Sequence, residues 1–203
     1  LYFGSLRSRF GQQYLLRAIE ASDPEQVRDL VALGPGAASA APRLLGRLEN
    51  GLLLFEADDA QHGRELWVTD GSEAGTRMLM DANPGLPDSA IGHAVSLGSQ
   101  LLFFIGNRLF ASDGTPDGTR LLRDWGEVEE DQLPQHLQAV GGVALFDVYD
   151  PSIGRELWRS DGTSLGTVPV DDIAAGQASS SPQFMAAGAS RLFYAITHPL
   201  YGK

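Results

Sequence analysis

The residues best suited to chemistry are carboxylates gathered around two loops. Asp58, Asp59, His62 and Glu65 share one short stretch, and Asp147, Asp150 and Glu156 form a second group. Oxygen donors at that density are what calcium takes, since it wants six to eight oxygens at close range. Their order is not that of an EF-hand loop. Asp58, Asp59, Asp147 and Asp150 therefore stand as metal candidates against a plainer reading, solvated hairpin loops in which Asp caps the turns. His62 has no second histidine beside it, which argues against zinc. The densest acidic run, Glu127-Val128-Glu129-Glu130-Asp131, follows Trp125. Trp125, Glu127, Glu129, Glu130 and Asp131 are the ligand-binding candidates, the indole as anchor and the carboxylates attracting a cationic group. The alternative is an inserted, solvated loop.

No catalytic residue is assigned. A Gly-x-Ser-x-Gly elbow is absent, as are a Gly-rich phosphate loop and a dinucleotide fingerprint. The four histidines (His62, His93, His136, His198) occupy unrelated positions. No cofactor is expected, calcium being the one candidate considered.

Composition narrows the classes further. The chain has 203 residues, with 15 basic and 26 acidic side chains and a net charge of −11. That acidity argues against an electrostatic grip on nucleic acid or anionic lipid. No apolar run approaches the roughly 18 residues of a membrane span. The absence of cysteine removes disulfides and thiolate chemistry, and 24 glycines fit a chain rich in turns. Residues 1–5, Leu-Tyr-Phe-Gly-Ser, resemble the remnant of an engineered cleavage linker and are set aside from fold reasoning. Arginine outnumbers lysine 14 to 1, which together with abundant alanine and glycine suggests a GC-rich bacterial genome.

What positions these residues is an internal repeat. Gly63-Arg64-Glu65-Leu66-Trp67-Val68-Thr69-Asp70-Gly71-Ser72 returns as Gly154-Arg155-Glu156-Leu157-Trp158-Arg159-Ser160-Asp161-Gly162-Thr163. A middle copy has Phe110 for the tryptophan and Asp113-Gly114 for the turn. The turn aspartates Asp70, Asp113 and Asp161 are spaced by 43 and 48 residues. Each unit reads as four short strands. The first predicts 43–49, 52–57, 65–69 and 77–80; the second 94–97, 101–105, 108–111 and 120–123; the third 137–140, 143–148, 156–159 and 168–170. Four-strand meanders at this spacing are the footprint of propeller blades. One meander alone cannot bury enough apolar area, so blades stack and cover Trp67, Phe110 and Trp158, each contributing about 2–3 kcal/mol.

With Ala57-Asp58-Asp59, Glu65-Leu66-Trp67, Asp70-Gly71-Ser72, Gly75-Thr76 and Asn83-Pro84-Gly85, the chain resembles the bacterial ELW-x-x-DGT-x-x-GT repeat family over about residues 35–203. The resemblance implies a secreted, periplasmic or surface-displayed protein and no established activity. The second unit departs most, lacking the Ala-Asp-Asp loop and the Asn-Pro-Gly break.

The expected fold is an all-β propeller of four-stranded antiparallel blades, four in number. Blades fall at 43–90, 91–133 and 134–180, with half of a fourth at 181–203. Strands at 14–21 and 27–32, within the N-terminal segment 6–42, would complete the fourth. Ser22-Asp23-Pro24-Glu25 followed by Val27, Leu30, Val31 and Leu33 also reads as a helix, in which case the chain is a fragment of a longer array. The expected function is a non-enzymatic module binding extracellular protein or glycan. The alternatives are a polysaccharide hydrolase or lyase with carboxylates at the axial pocket, and a structural spacer.

Overall fold

A computed structural model of the chain describes residues 2–8, 11–20, 22–35, 42–85 and 88–197. His198 lies outside them. The described residues are all-β, with strands organised as antiparallel meanders and no α-helix. Two compact units emerge: residues 1–91 with 114–119, and residues 92–113 with 120–203.

In the first unit, β4 (Arg43–Arg47), β5 (Leu53–Asp58), β6 (Arg64–Thr69) and β7 (Arg77–Met80) pair in sequential order. The sheet is the one expected from the repeat. Trp67 on β6 lies directly across from Phe55 on β5, their rings stacked at 6.2 Å. This aromatic face packs with Leu16, Leu30 and Leu33 of a three-stranded N-terminal sheet, β1 (Tyr2–Ser8), β2 (Gly11–Glu20) and β3 (Asp23–Pro35). The helix alternative for this segment is thus corrected to a strand. Leu30 and Leu33 are buried against Phe55 and Trp67, and that apolar contact outweighs the capping signals at Ser22 and Asp23.

Completion of the fourth blade by these strands is not seen among the described residues, where they form a sheet separate from that of strands 183–187 and 192–195. Residues 2–5, set aside as a linker, belong to β1, which pairs with one edge of β2 while β3 takes the other. Both edges of β2 are therefore occupied within its own sheet.

In the second unit, β8 (Ile91–Leu97), β9 (Gln100–Ile105), β10 (Arg108–Ser112) and β11 (Arg120–Asp124) form one meander. A second contains β12 (Leu137–Val140), β13 (Val143–Asp150), β14 (Gly154–Ser160) and β15 (Val168–Pro169). Their facing sides share a core of Leu102, Phe104, Leu109, Phe146, Trp125 and Trp158. Trp158 pairs across β13 with Phe146, as Trp67 does with Phe55. Phe110 differs from expectation: it is half-buried and stacks on Phe103 at 5.6 Å, while Leu109 and Ala111 point into the shared core. The last element is a two-stranded sheet, β16 (Gln183–Ala187) and β17 (Leu192–Ala195).

Candidate functional site

Of the carboxylates singled out from the sequence, Asp147, Glu65 and Glu156 are bonded within the repeats, and Glu56, which the sequence reading missed, joins them. Glu56 on β5 is buried between two guanidinium groups: Arg43 donates to one oxygen at 2.6 Å, and Arg64 donates twice to the other at 2.9 and 2.6 Å. Burial works against ionisation of Glu56, but the hydrogen bonds and charges of Arg43 and Arg64 outweigh it and hold the carboxyl below its ordinary value. The third repeat rebuilds this cluster with other side chains. Asp147 occupies the place of Glu56 and Arg155 that of Arg64, with an Nη1 to Oδ2 distance of 2.6 Å. His136 stands in for Arg43, its Nδ1 2.6 Å from Asp147 Oδ1. Arg155 also donates to the carbonyls of Leu133 and Asp131 at 3.0 and 3.3 Å, tying down the start of β12. The second repeat has Phe104 at this position, facing Leu109, so oil replaces the ion cluster.

A second recurring device uses the glutamate of the Glu-Leu-Trp motif. Glu156 is fully buried and receives the Ser180 amide at 2.9 Å and its hydroxyl at 2.5 Å. Glu65, also fully buried, receives the Ser89 hydroxyl and, at 2.9 Å, the Ala82 amide. Both pairs span 24 residues and fasten the chain leaving the fourth strand back onto the third. Glu65 differs in that its Oε1 has no hydrogen-bond partner.

Burial pushes the Glu65 carboxyl up; hydrogen bonds from Ser89 and Ala82 oppose this, while the charges of Asp81 and Asp88 add to it. The fold therefore favours protonated Glu65. Its stabilising contribution is complete below the ordinary glutamate value and is lost as pH rises through the raised value. Glu65→Gln, neutral at every pH, is expected to match or exceed the parent in urea unfolding at pH 7. The difference should shrink towards about pH 4, near the ordinary glutamate value. A loss of stability equal at both pH values would refute this assignment.

The metal candidates do not converge. Asp58 caps its own loop, accepting the Ala60 amide at 2.6 Å. Asp59 accepts the amides of Gln61 and His62, each at 2.9 Å, and its other oxygen lies 2.8 Å from His62 Nδ1. Burial of Asp59 is outweighed by these bonds, which hold its pKa down, and the same side-chain bond holds that of His62 up. Asp150 accepts the Ser152 amide and hydroxyl at 2.8 and 2.5 Å, apart from the Asp147 cluster. Among the described residues, no three of His, Asp and Glu come together in a metal-holding group.

Asp70 and Asp161 close their turns in the same way. Asp70 Oδ1 accepts the amide and hydroxyl of Ser72 at 2.8 and 2.7 Å, and Asp161 Oδ1 those of Thr163 at 2.9 and 2.7 Å. Gly75 and Gly166 pass so near these carboxylates that a Cβ would lie 2.0 Å from Oδ1. Asp113 opens the corresponding turn after β10.

Trp125 requires a correction. An anchor for a ligand must be reachable, yet the indole is 5% exposed and belongs to the core. It meets Trp158 edge to face at 5.2 Å and Phe146 at 5.9 Å, and the Arg123 guanidinium lies 5.5 Å from its ring centroid. Its place in the repeat is that of Ala82, so the indole fills space beside Phe104 in the repeat that lacks the ion cluster. Glu127, Glu129, Glu130 and Asp131 remain exposed, around a short 3-10 helix at Glu130–Gln132.

Large apolar side chains do reach solvent on β17. Phe193 is 59% exposed and Tyr194 37% exposed, and with Ala186 and Leu192 they line an open concavity of about 630 Å³. The repeat contained a signal for this pair. Tyr194 falls where β5 has Phe55.

No protein-family model matches the chain, and no curated protein matches it. Among solved structures, it is similar to prolyl oligopeptidase B from Galerina marginata at 15% identity, TM-score 0.45, covering 91% of this chain and 28% of that one. It is similar to puromycin hydrolase at 16% identity, TM-score 0.43, covering 96% of this chain and 33% of that one. A nidogen/laminin complex matches at 14% identity, TM-score 0.35, with coverage of 75% and 56%. The chain thus spans about a third or less of the two hydrolases' lengths.

Proposed function

We propose that the chain is a non-enzymatic β-propeller module of the ELW-x-x-DGT repeat type, displayed outside a bacterial cell, that binds extracellular protein or glycan. The observation that carries this reading is a contrast in how side chains are used. The buried carboxylates are engaged inside the repeats by arginines, serines and backbone amides. The reachable aromatic surface among the described residues, by contrast, is concentrated on β17, at Phe193 and Tyr194. Exposed aromatic rings, one of them with the polar tip of Tyr194, serve both sugar and peptide recognition at low entropic cost.

The test is a screen of the labelled chain on glycan and secreted-protein arrays, repeated with Phe193→Ser. A ligand whose signal falls at least about tenfold in the variant is expected, because such anchors dominate binding. Absence of any ligand would favour the spacer. Release of reducing or unsaturated sugar ends from a polysaccharide panel would favour the hydrolase or lyase.

A further inference from the structure

The first and third repeats reach the element that follows them from the same position, the residue beside the buried carboxylate at the start of the first strand. Arg43 on β4 lies opposite Glu56 and also reaches forward, donating from Nη2 to the carbonyl of Ile91, the first residue of β8, at 2.5 Å. In the third repeat that position belongs to His136, which directly precedes β12 and lies 2.6 Å through Nδ1 from Asp147 Oδ1. His136 reaches forward as well. Its ring stacks on Phe184 of β16, the centroids 4.7 Å apart and the planes 19° from parallel.

The two joints differ in charge. Glu56 lies between the guanidinium groups of Arg43 and Arg64, which keep their protons throughout the working range. Asp147 lies between the Arg155 guanidinium and an imidazole, and histidine is the side chain that ordinarily changes charge between about pH 5 and 8. Asp147 is 1% exposed and accepts from both sides, so Nδ1 keeps its hydrogen in either form of the ring and a second proton enters at Nε2. The His136 side chain is 32% exposed, which lets water deliver that proton. Its arrival breaks no bond: it strengthens the attraction to Asp147 and lays a cation on the face of Phe184.

The charged groups that meet the ring are Asp147 from β13 and, sharing that carboxylate, Arg155 from β14. Asp131, in the segment before β12, is engaged by Arg155 through its carbonyl, and β16 presents the uncharged Phe184. The first repeat shows that two cations around one such carboxylate fit this site.

We infer that His136 is a pH-operated clasp between the third repeat and the β16–β17 hairpin, gripping Phe184 more firmly when the imidazole is protonated. The hold is full at the acid end and weakens as pH rises through the titration of the ring. The hairpin turn is fastened separately, the Ala189 carbonyl accepting the Gly141 amide at 3.0 Å, so the clasp governs the other end of β16. The inference stands apart from the binding role proposed above, although the strand paired with β16 carries Phe193 and Tyr194.

The test follows the whole isotope-labelled chain by NMR from about pH 8 to about pH 5. The ring protons of His136 and the amides of β16 around Phe184 should shift along one titration curve. Exchange of those amides with solvent, corrected for the intrinsic effect of pH, should slow at least about twofold at the acid end, the lower bound for an exposed cation–π contact. His136→Arg, which installs the side chain of the first repeat, should give slow exchange at every pH, and His136→Gln fast exchange at every pH. In Phe184→Leu, His136 should still titrate while the β16 amides no longer follow it. Should either His136 variant unfold, the comparison of Phe184→Leu with the parent decides. Amides of β16 that ignore pH in the parent, or that follow it equally in His136→Arg or Phe184→Leu, overturn the inference.

Discussion

Trp125→Ala is expected to cost about 3–5 kcal/mol of stability, the range for truncating a large aromatic in a packed core. The side chain touches Phe104, Phe146 and Trp158 at ring separations of 6.3, 5.9 and 5.2 Å. Removing it opens a void at the junction of two sheets, where collapse is resisted by both. It also removes a neighbour of Trp158, which meets Trp125 edge to face and has the Arg123 guanidinium 4.4 Å from its ring centroid. Urea unfolding followed by tryptophan fluorescence measures this. A variant within about 0.5 kcal/mol of the parent, the range of tolerated surface changes, would return Trp125 to the loop surface. Trp125→Phe separates volume from chemistry. The indole Nε1 has no hydrogen-bond partner, so phenylalanine should recover most of the loss.

Asp147→Ala should be nearly as damaging, at about 3 kcal/mol or more, through charge rather than volume. Asp147 is 1% exposed, and its two oxygens meet Arg155 and His136. Without it, the Arg155 guanidinium stays 12% exposed with two carbonyl acceptors and no counter-charge. Adding Arg155→Ala to Asp147→Ala should then cost less than Arg155→Ala does alone, a coupling that a double-mutant cycle reads directly. Strict additivity would show the two charges to be independent.

The repeat made most of the fold legible, because strand 3 carries a large aromatic in a fixed relation to an Asp-Gly turn. The boundaries of β7 at Arg77–Met80 and β12 at Leu137–Val140 are those expected, and the other strands of the three meanders differ by one to three residues at their ends. The N-terminal segment was ambiguous for a physical reason. Leu30 and Leu33 are three residues apart, a helical spacing, and only the facing Phe55 and Trp67 decide in favour of a strand. Asp147, Glu65 and Glu156 were found as residues but not with their partners, and Glu56 was missed because it stands in a strand outside the loops that drew attention. Their arginines and serines come from other strands or from 24 residues away, distances at which a sequence shows identity but not pairing. Trp125 was misread because it follows a strand and precedes an acidic run, the usual setting of an exposed loop. Its true environment was set by Phe104, which replaces a carboxylate in that repeat alone.

The Asp-Gly turns have one more consequence, in how the chain ages. Asp-Gly is prone to succinimide closure, in which the glycine nitrogen attacks the aspartate side-chain carboxyl with loss of water and hydrolysis of the ring then leaves an isoaspartyl kink. Here both reactants are restrained. The Gly71 amide donates to Thr69 Oγ1 at 3.0 Å and the Gly162 amide to Ser160 Oγ at 3.1 Å. The opposing carboxylates are held by Ser72 and Thr163. The hydroxyls that shape the turn thus also shield it from spontaneous chemical damage, a protection that unfolding removes.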